Sequence, residues 1–455
     1  MSGRTSLTST PASDSKIDLE KTSSSPRETA HGSGLGDVKL ADGEVVASTG
    51  PFAKINRYLE KIGLETRSLE RVPEDQRDSH MFFWFSVNLA FSCLGTGFLG
   101  ALYFTLDFPT SMAIIWLGTA LGATVSATTA TLGPKYGLRT MVISRYAGGF
   151  LGTGIFSLLN ALTQIAYAVT AAIVAAQALR AINHGLSLTV GIVVSTVITL
   201  VVCLAGYKIL HYWERYAWIA CFIIYLIILG LGSYGDYDVH AKTATMDTGR
   251  ALVGDCLSFL GIMFSVGSGW TSIAADYNMT LPADTSSTVI WLSSFFGMWL
   301  PIAFTCSVSA SFTALTKASY VTAFEEESLG GVVGEILSKA GGFGKFLLVV
   351  LCLSVTSANT ANTYSGALCL QSLHPILMKI PRIFFVIIFT AVYLVLAIVG
   401  KDSYSAILGD FSAILAYYTA FFSCILFIEV FWFRRKNGPL GPINGDHYAD
   451  YSKLA

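Results

Sequence analysis

Ten stretches of this chain are each long and apolar enough to cross a membrane, and no other feature narrows its fold so far. A spanning helix needs roughly 20 apolar residues. The segments are 81–104, 110–132, 148–179, 187–206, 217–234, 251–277, 288–312, 343–372, 381–399 and 404–433. The third, eighth and tenth exceed the length of a perpendicular span, so they are expected to tilt or to run beyond the bilayer. Composition agrees. The chain is 53% hydrophobic and 13% charged, where soluble proteins carry roughly 25% charged residues. That is too little charge to cover a surface facing water. The expected fold class is an all-α membrane protein with ten transmembrane helices.

Residues 1–50 are rich in Ser, Thr, Gly and Ala and lack apolar periodicity, which predicts a disordered cytoplasmic tail. No apolar core opens the chain, so no cleavable signal is expected. Residues 51–80 form a charged, mildly amphipathic segment, 81–433 the transmembrane domain and 434–455 a C-terminal tail. Lys and Arg set the orientation. Arg67, Arg71 and Arg77 precede the first span, Lys135, Arg139 and Arg145 lie in the second loop, and Lys208 and Arg215 in the fourth. Lys379 and Arg382 lie in the eighth loop, and Arg434, Arg435 and Lys436 follow the last span. Ten spans with both termini in the cytoplasm put all of these on one side. The seventh loop is the exception, with Lys317 and Lys339 outside among Glu325, Glu326, Glu327 and Glu335.

Several function classes drop out. A net charge of −1 gives no basic field for nucleic acid. The eight cysteines lie mostly singly in apolar runs, which speaks against a disulfide framework or a CxxC metal site. His184, His211 and His374 lack metal-ligand spacing. No nucleophile elbow, phosphate loop or HExxH motif appears, so neither an enzyme nor an organic cofactor is expected. Asn278-Met279-Thr280 is a glycosylation sequon, but the topology places it inside, where it goes unused.

Three spans depart from a plain lipid-facing helix. The first carries Gly95, Gly97 and Gly100, the sixth carries Gly267 and Gly269 beside Trp270, and the eighth carries Asn359 and Asn362 deep in an apolar run. Glycine destabilises a helix interior by about 1 kcal/mol relative to alanine. An unpaired amide is costly in hydrocarbon, so both asparagines must face protein, water or a ligand. If the ten helices are two repeats of five, spans one and six are equivalent, and matched interruptions in two halves point to a transporter site made by inverted repeats. Breaks are therefore expected near Gly95–Gly97 and Gly267–Gly269, facing each other at mid-membrane. The plain alternative is close helix packing through small residues.

GPKYGLRTMVISRY (133–146), GYKILHYWERYAW (206–218) and GWTSIAADY (269–277) carry a resemblance. They are similar to signature segments of fungal purine-cytosine permeases of the nucleobase-cation-symport-1 family, and the likeness runs from about residue 50 to about residue 435. It implies two inverted five-helix repeats of the LeuT type, with helices one and six broken. It also implies proton-driven uptake of purines, cytosine or similar heterocycles at the plasma membrane. The family's base-stacking tryptophan matches Trp270. Its eighth-span motif is retained in part, as Asn359 and Asn362 without the first asparagine and the proline. In the third span the family's Gly-Trp is replaced by Ala166-Tyr167, and Ala171 stands where the family has asparagine. The family commonly has twelve spans and this sequence shows ten.

The expected site is a planar heterocycle between Tyr167 and Trp270, its edge bonded by Asn359, with Asn362 nearby. Gln164, three residues before Tyr167 on the same helix face, is placed to supply the amide that Ala171 lacks. It can equally bond a neighbouring helix. Glu214, which matches a family glutamate implicated in transport, and Asp276 are the candidates for coupling to protons. Glu214 can instead pair with Lys208 or Arg215, and Asp276 can cap a loop. Ser354, Thr356 and Ser357 are candidates for a sodium site, or bond back to their own helix. Three functions stay open: a proton-coupled nucleobase transporter, the same scaffold carrying a pyridine-type vitamin, and a non-transporting sensor or crippled permease. The partners implied are a small heterocycle and the lipid bilayer. Oligomeric state is not legible.

Overall fold

The computed structural model describes residues 83–205, 207–374, 376–377 and 380–447, and no side chain at 83, over 205–215 or at 446. The expected tail and amphipathic segment before residue 81 lie outside the described residues. The first span is three short pieces: α1 (Phe83–Asn88), a tight turn over Phe91–Thr96, and α2 (Leu99–Tyr103). The second is α3 (Phe108–Ala130), extended by α4 (Leu132–Tyr136). Asp107 caps α3 by accepting from Thr110 N at 3.0 Å and from the Thr243 hydroxyl at 2.9 Å. Burial raises the Asp107 carboxyl, yet these hydrogen bonds outweigh it and hold it below the usual carboxylate range. After α5 (Thr140–Ile143) come α6 (Arg145–Ile182), α7 (Leu188–Ala205) and α8 (Tyr207–Gly232). The 38 residues of α6 run to roughly 57 Å, well beyond a bilayer core, and the helix bends at Gly149, whose φ is 60°.

The sixth span is α9 (Gly249–Ser268), an irregular stretch over 269–273, and α10 (Ala274–Asn278). α11 (Ser287–Ser311), α12 (Ala318–Ser338), α13 (Gly341–Ser372), α14 (Arg382–Gly400) and α15 (Tyr404–Ile428) complete the set. Among the described residues, seven apolar segments reach spanning length, the last of them containing both α14 and α15, and the first and fourth spans supply two shorter ones. α3 packs between α9 and α11, and α6 makes its most extensive contact with α13.

Both expected breaks exist, but the first lies earlier than the glycines suggested. The chain turns extended at Ala90 (φ −64°, ψ 151°). The backbone groups freed there need partners, and three helices provide hydroxyls. Tyr225 donates to Leu89 O at 2.8 Å, Thr305 to Asn88 O at 3.3 Å, and Ser354 accepts from Phe91 N at 3.1 Å. Gly97 serves packing, because a Cβ there would overlap the Cys306 carbonyl of α11. Gly267 likewise brings α9 against α3, where Gly122 opposes it and Ser126 donates to Gly267 O at 2.8 Å. So the small-residue packing reading holds for these two glycines.

Two segments outside the expected spans also pack onto the body. The seventh loop holds α12, whose Leu329, Val332, Val333, Ile336 and Leu337 are buried. Beyond the last span, Ile443 is buried and Asn444 O accepts from Tyr146 Oη at 2.6 Å. The C-terminal segment therefore packs onto the body at least this far.

Candidate functional site

The two breaks meet at a cavity of about 80 Å³. This is near half of the ~150 Å³ of an apolar cavity that takes benzene, so a heterocycle requires the walls to part. Span one contributes Asn88, Ser92 and Thr96, span six contributes Gly269, Trp270 and Ile273, α6 contributes Gln164, Tyr167 and Thr170, and α13 contributes Ala358 and Asn362. Irregular backbone at mid-membrane is tolerated where it lines such a cavity.

The two aromatic walls are fixed by their surroundings. Trp270 donates its indole N–H to Asn88 Oδ1 at 2.9 Å. Its ring packs edge-on against Trp84 at 5.4 Å and Tyr277 at 6.0 Å. Tyr167 packs edge-on against Phe411 at 4.9 Å. Gly269 leaves room for the Tyr167 hydroxyl, which a Cβ there would meet at 2.5 Å.

Gln164 is 1% exposed and lines the cavity. Its Nε2 donates to Asn160 Oδ1 at 3.3 Å, and its Oε1 has no hydrogen-bond partner. Asn160 Oδ1 also accepts from the Ser272 hydroxyl at 2.7 Å, and its Nδ2 donates to Cys369 Sγ at 2.9 Å. Of the two α13 amides, Asn362 reaches the cavity. Asn359 sits behind it, donating to Ala168 O at 3.5 Å and accepting from Asn362 Nδ2 at 3.5 Å. Ala171 is fully buried and off the wall; Thr170, one residue earlier, takes that place.

Asp276 lies away from the cavity, in α10 at the C-terminal end of span six. Its Oδ1 accepts from Thr140 N at 2.7 Å and its Oδ2 pairs with Arg139 Nη1 at 3.6 Å. Arg139 also donates to Tyr364 Oη at 3.2 Å, and Arg382 lies over the Tyr364 ring at 4.3 Å. The side chain of Glu214 lies outside the described residues. Ser354 and Thr356 donate to their own helix, at Leu351 O and Cys352 O. The sequon residue Asn278 is buried, accepting from Trp84 Nε1 at 3.2 Å and donating to Ser294 at 3.1 Å.

Sequence reasoning missed Asn88, Thr170 and Asn160. The amides of Asn88 and Asn160 stand in apolar runs just as Asn359 and Asn362 do, so the cost of a buried unpaired amide would have flagged both.

Residues 71–438 match the family model described as a permease for cytosine/purines, uracil, thiamine and allantoin. A purine-cytosine permease of Emericella nidulans, fcyB, is 33% identical over 92% of this chain and 83% of its own length. The vitamin B6 transporter TPN1 of Saccharomyces cerevisiae is 29% identical over 88% of this chain and 73% of its own. Among solved structures, the inward-facing conformation of Mhp1 superposes with a TM-score of 0.63 at 17% identity, covering 82% of each chain. Mhp1 in a closed conformation with bromovinylhydantoin bound gives 0.62 at 16%, covering 81% of each. Mhp1 is a nucleobase-cation-symport-1 transporter, and its fold of two inverted five-helix repeats is the fold of this chain.

Proposed function

The chain belongs to the permease family for cytosine and purines, uracil, thiamine and allantoin, and from that premise we propose that it takes up a purine, cytosine or a related small heterocycle across the plasma membrane together with protons. It is a multi-pass membrane transporter, not an enzyme. One observation supports the ligand class above others: Tyr167 and Trp270 stand on one cavity where both broken helices end. Stacking of a base on an aromatic ring is worth roughly 1–3 kcal/mol and tolerates different ring systems. Selectivity then falls to the amides of Gln164 and Asn362. Both termini are proposed to be cytoplasmic, from the Lys/Arg asymmetry.

Proton coupling is assigned in this proposal to Glu214, on the family-like GYKILHYWE segment. Asp276 is the less suited candidate because Arg139 already pairs with it. In the Glu214→Gln variant, accumulation is expected to fall more than ligand binding, and unchanged, still proton-dependent uptake would count against the assignment. A pyridine-type vitamin is the second reading. Tyr167 in place of the family tryptophan supports it, as does the likeness to a vitamin B6 transporter. Uptake of radiolabelled cytosine, adenine, hypoxanthine and pyridoxine into a transport-null cell decides between them. Uptake of none of the four, with the protein present at the cell surface, would sink both.

A further inference from the structure

Gln164 is an amide with one end spoken for. Asn160 Oδ1 takes its Nε2 at 3.3 Å, and the same oxygen is held in place by the Ser272 hydroxyl at 2.7 Å. Asn160 cannot readily turn over, because its Nδ2 is engaged by Cys369 Sγ at 2.9 Å. Asn160 and Ser272 are both fully buried, so water does not compete for these bonds. What remains for the cavity is Gln164 Oε1, buried and unpartnered. An amide carbonyl accepts and cannot donate. The Thr170 hydroxyl donates to Ala166 O at 3.1 Å, which leaves its lone pairs to the cavity, and Asn362 has already spent one N–H on Asn359.

We infer that Asn160, clamped by Ser272 and Cys369, is a positioning residue that holds Gln164 with its carbonyl toward the ligand, and that the site therefore selects heterocycles presenting an N–H donor at that point. The inference rests on the cavity being the heterocycle site. It places the discriminating group at Gln164, because Ala171 is off the wall. It also ties recognition to span six, since Ser272 belongs to the irregular stretch between α9 and α10. A ligand that fails to donate leaves Oε1 buried and unpaired, a penalty on the order of a tenfold loss of affinity.

Equilibrium binding to the purified full chain tests this with adenine and 6-methylpurine, which differ by an amine against a methyl of similar size. The unaltered chain is expected to prefer adenine about tenfold. Gln164→Leu should erase that preference. Asn160→Ala should erase it too, by letting the glutamine turn, and the double variant should lose no more than Gln164→Leu alone. A merely structural role for Asn160 would instead weaken both purines equally and add to the Gln164 effect. Equal affinities in the unaltered chain, a preference for 6-methylpurine, or additive losses would overturn the inference. Trp270→Ala separates this failure from failure of the site. If Trp270→Ala removes binding of both purines while Asn160→Ala leaves the ratio intact, the site stands and the clamp falls. If Trp270→Ala leaves binding intact, or if the unaltered chain binds neither purine and neither cytosine nor pyridoxine, both readings fall.

Discussion

Trp270 donates its indole N–H to Asn88 Oδ1 across 2.9 Å, joining the broken stretch of span six to the last helical residue before the break in span one. Asn88 in turn donates from Nδ2 to Trp84 O at 2.8 Å. The stacking face of the tryptophan is thus oriented by an amide whose donor and acceptor are both engaged. Trp270→Ala is expected to weaken ligand binding from about fivefold to over a hundredfold, since it removes a stack worth roughly 1–3 kcal/mol. Asn88→Leu should keep the ring but free its orientation, weakening binding by about tenfold, within the range of one lost hydrogen bond. Ligand titration of both variants measures this, and an Asn88→Leu chain that binds normally would show the bond to be incidental.

Ala171 leads to an expectation that the sequence reading did not hold. By family position, asparagine there should strengthen nucleobase binding. The side chain is instead buried in the helical core, with Thr170 on the cavity wall. Ala171→Asn should therefore lower stability by about 1–3 kcal/mol through overpacking, with no gain in affinity for cytosine or adenine. Thermal unfolding in detergent and a binding titration check the two halves separately.

Gly267 tests the reading of glycine as packing. A Cβ there would come within 2.6 Å of Thr119 O and 2.8 Å of Ala123 N, both backbone atoms that cannot step aside. Gly267→Ala raises intrinsic helix propensity, so a gain in stability would mean that propensity dominates. We expect the opposite, a loss of about 1–3 kcal/mol as α3 and α9 are forced apart.

What was legible in the sequence follows from how local its cause is. The ten spans could be read because the bilayer alone sets their length. Trp270 could be read because its surrounding segment is distinctive. The break at Ala90 could not, because the hydroxyls that satisfy it come from Tyr225, Thr305 and Ser354 on three other helices. The orientation of Gln164 depends on Ser272 and Cys369, more than a hundred residues away in sequence. α12 was legible and was passed over. Its buried Leu329, Val332, Val333, Ile336 and Leu337 repeat at helical spacing, but a search for spanning lengths does not find an amphipathic helix.

The last prediction concerns Asp276, a carboxylate first weighed as a proton carrier. In the structure it joins α10 to the start of α5. Asp276 accepts from Thr140 N, and Thr140 Oγ1 accepts from Ala275 N at 3.1 Å, so each short helix holds the other's end. The Arg139 and Asp276 side chains are 3% and 9% exposed. Removing one partner of such a buried pair typically costs about 3–5 kcal/mol, because the other charge stays buried alone, whereas removing both is far milder. Arg139→Leu and Asp276→Leu should each lower stability by several kcal/mol, and the double variant should recover most of that loss. If Asp276 is structural, the double variant also keeps proton-dependent uptake. If it carries the proton, the double variant will be stable and uncoupled. Unfolding temperatures for the three variants, with uptake measured at two external pH values, separate the two roles.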